Sequence, residues 1–148
     1  KIEEFIDNGF KNIVLAGHSS GGWQSMILQS KLYDQVKGVI AFHPGGGGTI
    51  KNRKDWPWWQ DQRKYHISLM NLSKLNALIV IHDKDTYNAP EDYFFLSNLN
   101  SVKFVNLTVS DCKKKITLGG YHGFALTNCY AEYEKTNKNI LKYLEEIF

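Results

Sequence analysis

The 148-residue chain is 43% hydrophobic and 14% aromatic, with three prolines, which fits one domain with a sizeable core (residues 1–148) and excludes a disordered or low-complexity segment. Its formal net charge of +3 is too small to point to nucleic acid. No apolar run approaches the ~18 residues of a membrane span, and without a Cys-x-x-Cys pair or His-Glu-x-x-His segment no metal site is expected.

In chain order, residues 1–8 read as the end of an amphipathic helix, with Ile2, Phe5 and Ile6 on one face and Gly9 as its stop. Residues 11–16 form a short apolar strand. Residues 20–32 follow as a helix whose apolar side holds Trp23, Met26, Ile27 and Leu28. Residues 36–42 and 75–81 are continuous apolar strands, and 102–109 is a fourth that alternates more. Residues 124–148 read as a long closing helix that buries Tyr133, Ile140, Leu141, Leu144 and Ile147. Continuous apolar strands separated by helices predict an α/β fold, a mostly parallel sheet covered by helices on both faces.

The least regular region is 43–65. It opens Pro44-Gly45-Gly46-Gly47-Gly48 and continues with Trp56, Pro57, Trp58 and Trp59 among Lys51, Arg53, Lys54, Arg63 and Lys64. No Gly-Lys-Ser/Thr follows the glycines, so a phosphate-cradling loop is not supported. A flexible loop with a packed aromatic cluster is expected, with a wall of a substrate pocket as the functional alternative. Nucleic-acid binding by this basic stretch is disfavoured, because Asp55 and Asp61 dilute its charge.

The chemistry centres on Gly17-His18-Ser19-Ser20-Gly21, a Gly-x-Ser-x-Gly between an apolar strand and a helix. That placement suits a nucleophile on a sharp strand-to-helix turn, where flanking glycines avoid a clash and the helix N-terminus faces a developing oxyanion. The backbone N–H of Ser20 is the expected oxyanion donor. Ser20 is not itself in register as nucleophile, because His18 occupies the position where its glycine would stand. A serine needs an orienting acid and a base, which follow it in that order in this kind of turn. Asp85, just past the third strand, is preferred to Asp83, since parallel strands share their carboxyl ends. His122, flanked by Gly119, Gly120 and Gly123, supplies the base. His18, His43, Trp23, Trp58 and Tyr121 are candidate pocket residues. His82 is expected to be partly buried and His66 on the surface.

With those residues in place the sequence resembles the α/β-hydrolase superfamily. The resemblance rests on Gly17-His18-Ser19-Ser20-Gly21-Gly22, on Ile79-Val80-Ile81-His82-Asp83-Lys84-Asp85 and on Gly120-Tyr121-His122-Gly123-Phe124. The overall look is similar to the dienelactone-hydrolase-like and small serine esterase branches, although dienelactone hydrolases proper carry cysteine at the turn. The resemblance implies a Ser19–Asp85–His122 triad, cleavage of a small-molecule carboxylic ester or related acyl bond through an acyl-enzyme, and no cofactor. The family sheet has about eight strands, with the nucleophile after the fifth. Four are read here, so the N-terminal strands and the loop giving the second oxyanion donor are expected to be missing. A cropped chain, a partial gene and a minimal enzyme all stay open, as does a catalytically incompetent half-domain acting as a binding or assembly module. The first strand's unpaired edge invites homodimerisation.

The two cysteines, Cys112 and Cys129, bracket the His122 segment. A disulfide over this span of roughly 17 residues is worth about 3 kcal/mol in the loop-entropy model and would suit a secreted or periplasmic enzyme. Two unrelated buried thiols are the alternative. The chain starts at Lys1 and shows no signal peptide, which leaves the compartment open.

Overall fold

The computed structural model describes residues 1–108, 121–123 and 134–148. Helix α1 (Ile2–Asp7) leads into β1 (Ile13–His18), α2 (Ser20–Lys31) and β2 (Val36–Phe42). Two helices follow, α3 (Ile50–Asp55) and α4 (Pro57–Ser68), then β3 (Ala77–His82), β4 (Val102–Leu107) and α5 (Glu134–Ile147). Short 3-10 helices span Leu72–Lys74 and Pro90–Leu96.

The strands pair in parallel in the order β1-β2-β3-β4. Side chains alternate across this sheet and feed two cores. Val39, Ala41, Ala77, Ile79 and Ile81 face Trp23, Met26 and Ile27 of α2 and Tyr93 and Leu96 of the second 3-10 helix. Ile40, Leu78, Val80, Val105 and Leu107 face Tyr143, Ile140, Leu144 and Ile147 of α5. Every residue of β3 is buried, as a strand covered on both faces must be, whereas β1 is only half-buried along its length. β1 stands at one margin of the described sheet.

The register places the strand ends together: His18 opposite Phe42, Phe42 opposite Val80, and His82 opposite Leu107. Whatever follows these strands therefore emerges along one edge. That is the edge where Ser19, His43 and Asp85 lie.

Three expectations are corrected. The segment 43–65 is not a loop with a loose aromatic cluster, because it folds into α3 and α4. Thr49 caps α3 by accepting from the Asn52 N–H at 3.0 Å, and Pro57 opens α4 at a position where its missing N–H costs nothing. In α5, Leu141 is 60% exposed while Tyr143 is buried. The stripe that meets the sheet runs through 140, 143, 144 and 147, and Leu141 lies about 100° away from Ile140 around the helix. In α2, Leu28 is likewise exposed, beside buried Met26 and Ile27. The expected helical residues 124–133, Cys112, Cys129, Gly119 and Gly120 lie outside the described residues. Among the described residues, no helix is long and apolar enough to cross a membrane.

Candidate active site

The site begins where β1 stops. Ser19 has φ 54° and ψ −126°, a backbone state that L residues rarely adopt. Three bonds hold it there. Its N–H donates to the Phe42 carbonyl at 3.0 Å, and its carbonyl accepts from the N–H groups of Trp23 and Gly45, both at 3.0 Å. The turn is so tight that a Cβ on Gly17 would lie 2.5 Å from the Gly21 carbonyl carbon, and one on Gly22 would lie 2.8 Å from the Gly17 oxygen. A Cβ on Gly21 would meet nothing within 4 Å. The steric demand for glycine thus falls on Gly17 and Gly22, not on Gly21 as the motif spacing suggests. Helix α2 starts at Ser20, so its first-turn N–H groups have no acceptor within the helix and point toward the serine end.

Three side chains from three segments converge. The Ser19 hydroxyl lies 2.8 Å from Nε2 of His122. Nδ1 of His122 lies 3.0 and 2.9 Å from the two oxygens of Asp85. His122 and Asp85 are 7% and 4% exposed, so this chain runs from a partly open hydroxyl into a dry interior. Asp85 also accepts from the Tyr87 N–H at 2.7 Å. Asp83 stands apart, with its carboxylate 2.9 Å from Nδ1 of His82.

The remaining pocket candidates divide. His18 is half-buried and donates from Nε2 to the His122 carbonyl at 2.7 Å. Tyr121 is half-buried with its ring 4.4 Å from that of His82. Trp58 is half-exposed on α4 and stacks on Trp59 at 3.9 Å. Two expectations are corrected here. Trp23 is wholly buried in the core, with the Arg63 guanidinium 4.8 Å over its ring, so it has no surface to offer a substrate. His43 is wholly buried behind the site, 6.0 Å from the His18 ring and 6.1 Å from that of His122. Burial lowers the His43 pKa to about 3; His122, His18 and His82 push the same way and Asp85 opposes them. It therefore sits in the wall as a neutral ring at φ 44°. His66 is half-buried rather than on the surface, with Nδ1 near Gly46. His82 is wholly rather than partly buried.

Sequence reasoning missed what holds the walls together. Arg53 and Arg63, read from sequence as part of a basic stretch, are 5% and 6% exposed. Arg53 donates to the carbonyls of Gly48 and Tyr87 at 2.8 Å and to Asp92 at 2.7 Å. Arg63 donates to the Gly46 carbonyl at 3.3 Å, to Asn88 at 2.9 Å and to the Asp92 carbonyl at 2.7 Å. Burial, first, pulls the Arg63 pKa down, while Asp92 counters it. Asn88 and Tyr93 both donate to the Pro44 carbonyl, Asn88 at 3.1 Å. The glycine loop after β2 is thereby tied to the segment that carries Asp85. Tyr87, whose ring stacks on His122 at 4.0 Å, was also missed. The one available signal was its position two residues after Asp85. Among the described residues, no group of three or more His, Cys, Asp or Glu side chains is arranged to hold a metal.

No family model matches the chain, and no curated protein sequence matches it. Solved structures do. An α/β hydrolase enzyme from the metagenome of sediments of the Mar Chica lagoon, Morocco, superposes with TM-score 0.54 at 17% identity, over 98% of this chain and 67% of its own. An esterase from Pyrococcus furiosus gives TM-score 0.60 at 13% identity, over 99% and 58%. Naproxen esterase from Bacillus subtilis gives 0.56 at 10%, over 96% and 63%. The chain thus spans about three-fifths to two-thirds of the length of these three proteins. A four-stranded parallel sheet, flanked by helices and superposed over nearly its full length on such proteins, gives this chain the α/β-hydrolase fold over the part that it spans.

Proposed function

We propose that the chain is a serine hydrolase that cleaves a carboxylic ester or related acyl bond. The observation that carries this reading is the unbroken hydrogen-bond chain from Ser19 through His122 to Asp85. In this reading Nδ1–H of His122 donates to Asp85, which leaves Nε2 to accept the Ser19 proton. Ser19 Oγ attacks the acyl carbon as His122 takes that proton, and the imidazolium formed lies against the Asp85 carboxylate. The tetrahedral oxyanion faces the N-terminus of α2, where the Ser20 N–H is one donor. His122 then protonates the leaving alcohol. Water, deprotonated by the same ring, cleaves the acyl-enzyme. A second oxyanion donor is worth on the order of 10²–10³ in rate, so its provision governs how fast such a site turns over. The esterase names of two structural neighbours agree with ester chemistry.

Intact-mass labelling with a fluorophosphonate tests the reading without a guess at substrate. One adduct is expected on the parent chain and none on Ser19→Ala. A folded parent that takes no adduct would overturn it in favour of a binding or assembly module that keeps the three residues without the chemistry.

A further inference from the structure

We propose that Tyr87 is a positioning residue for His122, its ring fixing the tilt of the imidazole. The inference rests on the serine-hydrolase reading for its kinetic consequence, but not for its geometry. The two rings stack, with centroids 4.0 Å apart and planes 28° from parallel. The hydrogen bonds of His122, at Nδ1 to Asp85 and at Nε2 to Ser19, lie along the edge of its ring. Such bonds align the ring nitrogens but resist tilting out of the ring plane only weakly, because hydrogen-bond energy falls slowly with small angular error. A flat aromatic surface against one face resists that tilt directly.

The platform is itself anchored. The Tyr87 N–H donates to Asp85 at 2.7 Å, and the Tyr87 carbonyl accepts from Arg53 at 2.8 Å. Arg53 in turn is buried and paired with Asp92 at 2.7 Å. The acid, the platform and the base are thus one unit: the backbone that presents the Tyr87 ring is bonded to the same carboxylate that His122 uses. The other rings near His122 are poorer supports. His18 is tilted by 49° at 5.1 Å, and His43 by 56° at 6.1 Å. Tyr87 is 38% exposed while His122 is 7% exposed, so the tyrosine also screens that face of the base from water.

The test uses Tyr87→Leu, which removes the ring, and Tyr87→Phe, which keeps it; Tyr87→Met is a second ring-free variant should leucine disturb the fold. Ring-proton resonances of His122, assigned by their loss in His122→Gln, should lie upfield in the parent and in Tyr87→Phe through the stacked ring's current. They should move downfield in both ring-free variants. With p-nitrophenyl acetate, kcat should fall about tenfold in the ring-free variants, the scale of a slightly misplaced catalytic group. KM should change little, and Tyr87→Phe should match the parent. Unchanged His122 resonances in a folded ring-free variant would overturn the proposal. So would a loss confined to KM, which would make Tyr87 a substrate contact, or a Tyr87→Phe variant as impaired as Tyr87→Leu. A parent that takes no fluorophosphonate adduct would sink the serine-hydrolase reading instead, while the resonance shifts still decide the stack.

Discussion

The turn at Ser19 and the loop from His43 to Gly48 both hold irregular backbone at the same edge of the sheet, yet they are fixed differently. The turn is shaped by backbone sterics among near neighbours, with Gly17, Gly21 and Gly22 packed against one another. The loop is fixed by side chains 5 to 49 residues away, chiefly Arg53, Arg63, Asn88 and Tyr93. One bond joins the two regions, from the Gly45 N–H to the Ser19 carbonyl. The difference teaches that the glycine contacts of the strained turn are set by adjacent residues, whereas the bonds that anchor Ser19 to Phe42 and Gly45, like the walls around it, depend on partners that only the fold brings near.

The comparison breaks most sharply at Arg63. Its buried guanidinium serves three acceptors, Asn88 in the interior and the part-buried carbonyls of Gly46 and Asp92, and each unsatisfied buried group costs about 1–3 kcal/mol. Arg63→Met should therefore lower unfolding stability by about 3–5 kcal/mol, read by urea denaturation. A loss under 1 kcal/mol would show that the clamp does not hold the loop.

The turn sharpens the contrast through two neighbouring glycines. A Cβ on Gly17 strikes backbone that has nowhere to go, so Gly17→Ala should cost about 3 kcal/mol. Gly21→Ala meets open space at the start of α2 and should stabilise by about 0.5 kcal/mol through reduced unfolded-state freedom. Equal losses for the two, in parallel urea titrations, would refute the assignment of the steric demand to Gly17.

His43 lies where the two regions meet, and its effect appears with pH. Its folded pKa, about 3, lies below the usual histidine value of 6.5. Below 6.5 the unfolded chain binds the proton that the folded one refuses, so stability falls as pH drops from 6.5 toward 3. The slope from this group approaches 1.4 kcal/mol per pH unit. His43→Asn removes the titration and tolerates the positive φ. It should flatten the acid limb by that slope when unfolding free energy is measured at pH 7, 6 and 5. An identical acid limb in the variant would refute it.

Much of this protein was legible in its sequence. The four parallel strands were legible, β3 and most of β2 because strands buried on both faces must be continuously apolar, and β1 and β4 as a short apolar and a more alternating run. The turn was too, because its geometry is written into adjacent residues. Asp85 and His122 were also legible as candidates, since strand ends in a parallel sheet share one edge. The clamp was not. Arg53 and Arg63 look like any exposed cations until the fold supplies the carbonyls of Gly46, Gly48 and Tyr87 and the carboxylate of Asp92. Nor was the burial of His43, or the stacking of Tyr87 on His122. Local sequence determined backbone shape and strand identity, because sterics and hydrophobic periodicity act between near neighbours. Tertiary structure alone decided which polar side chains are satisfied in the interior and which rings meet, because those depend on groups far apart in the chain.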